Sequence, residues 1–303
     1  MKKRILLLFV LMFTSIVSFA QQDAQFTQYM YNTINVNPAY AGSRGAMSLF
    51  VLRRDQWVGL DGAPITNSIA INTPINESNL GIGVSLINDK IGPTQNNRFS
   101  ADLSYTIPTS ETYKLSFGIK ASANLFNLDI SKLNPVDATD ASLQNYNKFT
   151  PNIGAGIYLH SDKAYLGFSI PNFIETQNYN DNEVAIYKQK INYYFIAGYV
   201  FDVSDYVKFK PALLSKVVQG APLQVDISGN FMINEKLMVG VAYRWSAALS
   251  AMVGIQVSDG LYIGYGYDRE TSYLKNYNTG SHEIFLRYEI FNNLNKITTP
   301  RFF

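Results

Sequence analysis

The chain has 303 residues, with 25 basic and 23 acidic side chains, 16% charged residues and no cysteine. Without Lys2, Lys3 and Arg4, which belong to a leader, 22 basic residues stand against 23 acidic ones, and this net charge of −1 argues against nucleic acid as a partner. The absence of cysteine excludes disulfides, thiolate metal sites and a lipid attachment behind the leader.

In chain order, Met1-Lys2-Lys3-Arg4 is a positive start, residues 5–17 are an apolar run, and Ser18-Phe19-Ala20 is a small-x-small cleavage signal before Gln21. Residues 1–20 therefore read as a secretory signal peptide cut near Ala20. Residues 21–44 read as an N-terminal periplasmic segment or plug. Phe26, Tyr29, Met30 and Thr33 recur there at helical spacing, so a short helix is expected, either closing a barrel's inner mouth or meeting periplasmic machinery.

After residue 45 the dominant period is two. Phe99, Ala101, Leu103, Tyr105 and Ile107 alternate with Arg98, Ser100, Asp102, Ser104 and Thr106, and Leu115, Phe117 and Ile119 alternate with Ser116, Gly118 and Lys120. Leu223, Val225 and Ile227 alternate with Gln224, Asp226 and Ser228; Val239, Val241 and Tyr243 alternate with Gly240, Ala242 and Arg244. In the last such stretch, Ile284, Leu286, Tyr288 and Ile290 alternate with Glu283, Phe285, Arg287 and Glu289. A soluble sandwich would bury the apolar face, whereas a membrane barrel turns it to lipid and hydrates the other.

The connections separate the two readings. NDKIGPTQNN and residues 124–152, 171–190 and 268–281 read as long, while PTSETY, HSDK, DVSD, INEK and SDG are tight turns that alternate with them. Long loops at one end and turns at the other mark an outer-membrane barrel. The predicted fold is all-β: a transmembrane antiparallel up-and-down β-barrel of about fourteen strands over residues 45–291, with a periplasmic tail at 292–303.

In that barrel Asp102, Lys120, Lys208, Lys210, Asp226, Arg244, Glu283, Arg287 and Glu289 face the lumen as a candidate polar network, or simply keep it hydrated. Trp57, Gly59, Gly62, Ala63 and Pro64 form one candidate outer rim turn, with Gly220, Ala221 and Pro222 as its counterpart. Tyr265, Tyr267 and Trp245 suit interface girdles. APITNSIAINTPINESNLGIGV from Ala63 and APLQVDISGNFMINEKLMVGV from Ala221 repeat one strand–turn–strand unit.

Catalytic chemistry is sparse. The chain has only His160 and His282, and Ser281 beside His282 points to the opposite strand face, so they form no dyad. Asp137 and Asp140 lack the ordered oxygen-ligand spacing of a calcium loop. GIGV at 81–84, GAG at 154–156 and GYGY at 264–267 open no helix, so they read as strand glycines that ease curvature and close packing. No cofactor is expected.

Particular residues add more than periodicity. QDAQFTQYMYNTINVNPAYAG (22–42) and RRDQWVGLDGAPIT (53–66), followed by IGP (91–93), GFSIPNF (167–173), KFKPALL (208–214), QGAPLQVD (219–226), YRW (243–245), GYGYD (264–268), GSHEIFLRY (280–288) and PRFF (300–303), closely resemble the PorP/SprF family of type IX secretion and gliding-motility proteins. The resemblance implies an outer-membrane barrel of a Gram-negative, Bacteroidetes-type bacterium. It also implies a partner for secreted cargo, especially a large surface adhesin with a β-rich C-terminal domain, whose export or surface anchoring it supports. A diffusive porin is the alternative, and a rim hydrolase using His282 as base is the third reading.

Overall fold

The computed structural model describes residues 26–75, 78–132, 145–179 and 185–290. Its strands, in chain order, are β1 (Met47–Asp55), β2 (Ile65–Pro74), β3 (Leu80–Ile91), β4 (Thr94–Pro108), β5 (Lys114–Leu128), β6 (Tyr146–His160), β7 (Ala164–Ile170), β8 (Thr176–Tyr179) and β9 (Ala185–Gln189). They continue with β10 (Asn192–Tyr199), β11 (Phe201–Ser204), β12 (Val207–Val218), β13 (Gln224–Ile233), β14 (Leu237–Arg244), β15 (Ala248–Gln256), β16 (Leu261–Glu270) and β17 (Ser281–Ile290). Wall strands pair antiparallel with their neighbours, and β17 returns to β1, from Met47 opposite Ile290 to Asp55 opposite His282. Both β10 and β11 pair with β12 as two halves of one wall position, so the ladder closes as a barrel of fourteen strands. Closure leaves no sheet edge within the membrane, which a spanning β-structure requires.

The two faces obey the alternation. Ile119, Val241 and Ile284 are 61%, 61% and 53% exposed on the outside, whereas the intervening Lys120 and Glu283 are buried. The repeated unit forms the hairpins β2–β3 and β13–β14. In the second, Asn234 and Glu235 both take positive φ, as a tight turn with the right-handed strand twist demands.

One long connection is corrected. NDKIGPTQNN is not a loop: β3 and β4 stay paired from Leu80 opposite Tyr105 to Ile91 opposite Thr94, leaving only Gly92 and Pro93 between them. Its polar residues, read as loop chemistry, are strand residues of a hairpin rising above the lipid band. β4, β5 and β6 run 15 residues each, against 8 to 10 for β13 to β17, so one wall of the barrel is taller. Residues 171–190 contain the separate hairpin β8–β9, and Asp137 and Asp140 lie outside the described residues.

Candidate functional site

The lumen is filled by the protein's own chain. Residues 26–41 pass through it as three short 3-10 turns, Tyr29–Tyr31, Thr33–Asn35 and Pro38–Tyr40, with nearly every side chain buried. No α-helix forms here. Asn32, Asn35 and Asn37 are weak helix formers that compete for backbone hydrogen bonds, and Pro38 lacks a donor and restricts Asn37 to its observed extended conformation. Asn37 instead caps the third turn, its carboxamide oxygen accepting from the Ala39 amide at 3.0 Å while its nitrogen donates to the Ile157 carbonyl at 3.0 Å.

The segment meets two different walls. Phe26 to Tyr31 lie against β1 and β12–β17, where charged side chains hold them. The Thr27 and Gln28 amides donate to the two carboxylate oxygens of Glu283 at 3.0 and 2.8 Å, and the Thr27 hydroxyl donates to Asp268 at 2.5 Å. Arg54 joins the acids, 2.7 Å from Asp268 and 3.2 Å from Glu283, with all three side chains at most 2% exposed. Arg244 pairs with Asp226 at 3.0 Å and reaches the Phe26 carbonyl at 3.5 Å. Deeper in, the Tyr31, Tyr262 and Phe285 rings pack as a mutual cluster, with the Lys210 ammonium 5.3 Å and the Arg287 guanidinium 5.7 Å from the Tyr31 centroid.

Ile34 to Ala41 lie against β3–β7, where the wall admits the backbone itself. A Cβ on Gly118 would fall 2.2 Å from the Ala39 nitrogen, one on Gly81 2.3 Å from the Ala41 carbonyl oxygen, and one on Gly156 2.2 Å from the Asn37 carboxamide. Glycine alone permits this approach. Small hydroxyls complete the contact: Ser169 donates to the Val36 carbonyl and Ser104 to that of Ala41, each at 2.7 Å. Lys120 donates to the Ile34 carbonyl at 3.2 Å and pairs with Asp102 at 3.1 Å. The segment leaves at the inner mouth, where Arg44 pairs with Glu289.

The nine lumen residues read from sequence thus separate into groups. Glu283 belongs to the outer cluster around Arg54, with the Asp226–Arg244 pair beside it; Glu289 and Arg287 mark the inner mouth, and Asp102 and Lys120 stand on the opposite wall. Lys210 faces Tyr31, and Lys208 is at the inner rim, 2.7 Å from Glu235 of a tight turn. Arg44, Arg54 and Asp268 complete the clusters and are absent from the sequence-derived set.

Trp57, Gly59, Gly62 and Pro64 lie in the β1–β2 connection and Gly220 and Pro222 in the β12–β13 connection, both at the end with the long connections. β14 to β17 separate the two turns, which do not meet. Trp57 donates its indole N–H to Glu270 at 2.8 Å, and Gly62 accepts from the Gly92 amide at 2.9 Å, tying the first turn to its flanks. His160 faces the lumen beside Ser116 at 3.5 Å, and His282 is on the outer face against Tyr265 at 2.6 Å, so the two share no site.

Solved structures match the chain at low identity. A CymD monoaromatic hydrocarbon channel matches with TM-score 0.50 and 11% identity over 89% of this chain and 94% of its own. A TodX deltaS2S3 mutant monoaromatic hydrocarbon channel gives 0.47 and 9% over 85% and 93%, and a Pseudomonas aeruginosa FadL homologue 0.43 and 11% over 80% and 88%. No curated protein matches the sequence. The sequence profile of the family described as type IX secretion system membrane protein PorP/SprF matches residues 18–288, which take in the lumen segment and all the wall strands but the last two residues of β17. The chain belongs to this PorP/SprF family and is an outer-membrane β-barrel of the type IX secretion system.

Proposed function

We propose that this barrel is a docking partner, not a conduit: it binds a secreted cargo protein at its outer end and supports the cargo's export or its anchoring at the cell surface. A large surface adhesin with a β-rich C-terminal domain, of the kind used in gliding motility, is the cargo that fits family membership. The observation that carries the reading is the filled lumen. Residues 26–41 occupy the path a solute would take, and they are held by buried ion pairs and by backbone packed onto glycine. The taller wall and the outer connections then offer the accessible surface for recognition. The periplasmic turns at the other end are the side open to further secretion machinery.

The barrel likeness to hydrocarbon channels is one of fold alone, so the channel reading rests only on what the lumen permits. Two measurements separate the readings. Purification at native expression in mild detergent is expected to recover a large secreted β-rich protein in near-stoichiometric amount. Planar-bilayer recordings of the full chain are expected to show no steady conductance. A barrel recovered alone that conducts ions steadily sinks the docking reading in favour of a porin.

A further inference from the structure

The ladder of the barrel wall stops early on one side of β6. β6 pairs with β5 along its whole length, from Leu128 opposite Tyr146 to Lys114 opposite His160, but β7 covers it only from His160 to Ala155. Above Ala155, one more backbone bond forms: the Phe173 amide donates to the Ile153 carbonyl at 2.8 Å. The Asn152 side chain then closes the ladder by accepting from the Ile153 and Ile174 amides at 2.9 and 3.0 Å and donating to the Ile174 carbonyl at 2.8 Å. Beyond it the chain turns into β8, which pairs with β9 alone.

The direction of the Ile153 carbonyl fixes which groups are left over. Backbone groups of alternate residues point to the same side of a strand, so Asn147, Phe149 and Pro151 point where Ile153 points, away from β5. Asn147 and Phe149 each present an N–H and a C=O there, Pro151 presents a C=O, and none of these has a hydrogen-bond partner among the described residues. Phe149 stands 61% exposed beside this edge. It lies level with Leu125 and the Asn67–Asn88–Asn97 ladder, whose amides bond at 3.4 and 2.7 Å, a polar band above the lipid-facing residues.

An exposed strand edge of this kind is a template for another strand. A second copy of the chain fits it poorly. In an antiparallel pair of two β6 edges centred on Phe149, each Pro151 would oppose Asn147 of the other copy and leave that residue's carbonyl without a donor. An extended segment without proline at that position satisfies every group, and an apolar side chain on it can cover Phe149. We propose that residues 147–151 of β6 are a strand-addition site that takes an extended segment of the secreted partner as a neighbouring strand. This rests on the docking reading above and names the element that does the docking.

The test uses the full-length barrel with whatever secreted protein co-purifies with it, compared with the barrel alone, by hydrogen exchange resolved to single amides. The expected result is that Asn147 and Phe149 slow by about tenfold or more in the complex while Lys148 and Thr150, already bonded to β5, do not change. Asn147→Pro removes one edge donor without touching a β5 bond. It is expected to weaken co-purification about tenfold while the barrel keeps its heat-modifiable mobility on gels, because proline is tolerated where the N–H faces outward. A complex that persists with unchanged exchange at both amides overturns the strand-addition site and leaves docking intact. Slowed amides in a dimer of this chain without cargo overturn it in favour of self-pairing. A barrel that never carries a partner overturns the docking reading and this proposal together.

Discussion

The two walls that enclose the N-terminal segment hold it by different physics. β1 and β12–β17 grip Phe26 to Tyr31 through buried charge, with Arg54, Asp268 and Glu283 sharing hydrogen bonds to two backbone amides and a hydroxyl. β3–β7 grip Ile34 to Ala41 through proximity, with glycines and serines letting backbone touch backbone. Charge in a low-dielectric interior is strong and unforgiving, because removing one partner strands the others. Glycine contacts are individually weak, but any side chain is too large for them. The segment is therefore latched near the outer end and shape-fitted toward the inner end.

The latch is where a single change should cost most. Arg54→Ala leaves Asp268 and Glu283 buried together without their cation, and a loss of about 3–5 kcal/mol is expected for such a broken network. Urea unfolding in detergent, read by heat-modifiable mobility, measures the loss. Bilayer recordings of the same variant are expected to show intermittent conductance as the freed segment leaves the lumen. A silent pore of wild-type stability would show that the charged wall does not hold the segment.

Gly118→Val tests the opposite wall. Its Cβ would enter within 2.2 Å of the Ala39 nitrogen, and backbone cannot swing aside as a side chain does. Overpacking of this kind costs about 1–3 kcal/mol. The third turn is expected to be expelled while the outer latch holds, so limited proteolysis should cut near residues 37–42 at intact barrel stability. Asn37→Ala is milder, removing a cap and one wall hydrogen bond for about 1 kcal/mol. It should raise protease sensitivity in the same place without conductance.

The same contrast explains what the sequence made legible. Strand number, lipid face and the inward set from Asp102 to Glu289 follow from a period of two, because lipid imposes one sign on every outward residue. The lumen segment does not show in that period, since its turns are fixed by the wall. Arg54 escapes the pattern because Phe50 and Leu52, the inward residues before it on β1, are apolar, so the alternation that flags a lumen residue is lost. The glycine pairs 81–83, 154–156 and 264–266 were visible, and close packing was the property they advertised. What packs on most of them is the chain's own start, and only the folded register brings Gln28, Ile34, Asn37 and Ala41 to those places. The rising β3–β4 hairpin reads as a loop because above lipid a strand has no need of apolar residues.

The smallest expected effect sharpens the comparison most. Asp102 and Lys120 are the buried ion pair of the glycine-lined wall, opposite each other in register on β4 and β5, and among the described residues the pair is tied to the segment by the Lys120 bond to the Ile34 carbonyl. Asp102→Asn alone leaves a buried ammonium with a weaker partner and should destabilise the barrel measurably. Asp102→Asn with Lys120→Met removes both charges, and replacing a buried pair by neutral groups of similar size is commonly near neutral, within about 1 kcal/mol. If the double variant unfolds at the wild-type urea midpoint and stays closed in bilayers, this wall holds the segment by shape, and its ion pair is dispensable. If instead the double variant opens the pore as Arg54→Ala is expected to, both walls latch by charge, and the glycines serve only to let the charged groups approach.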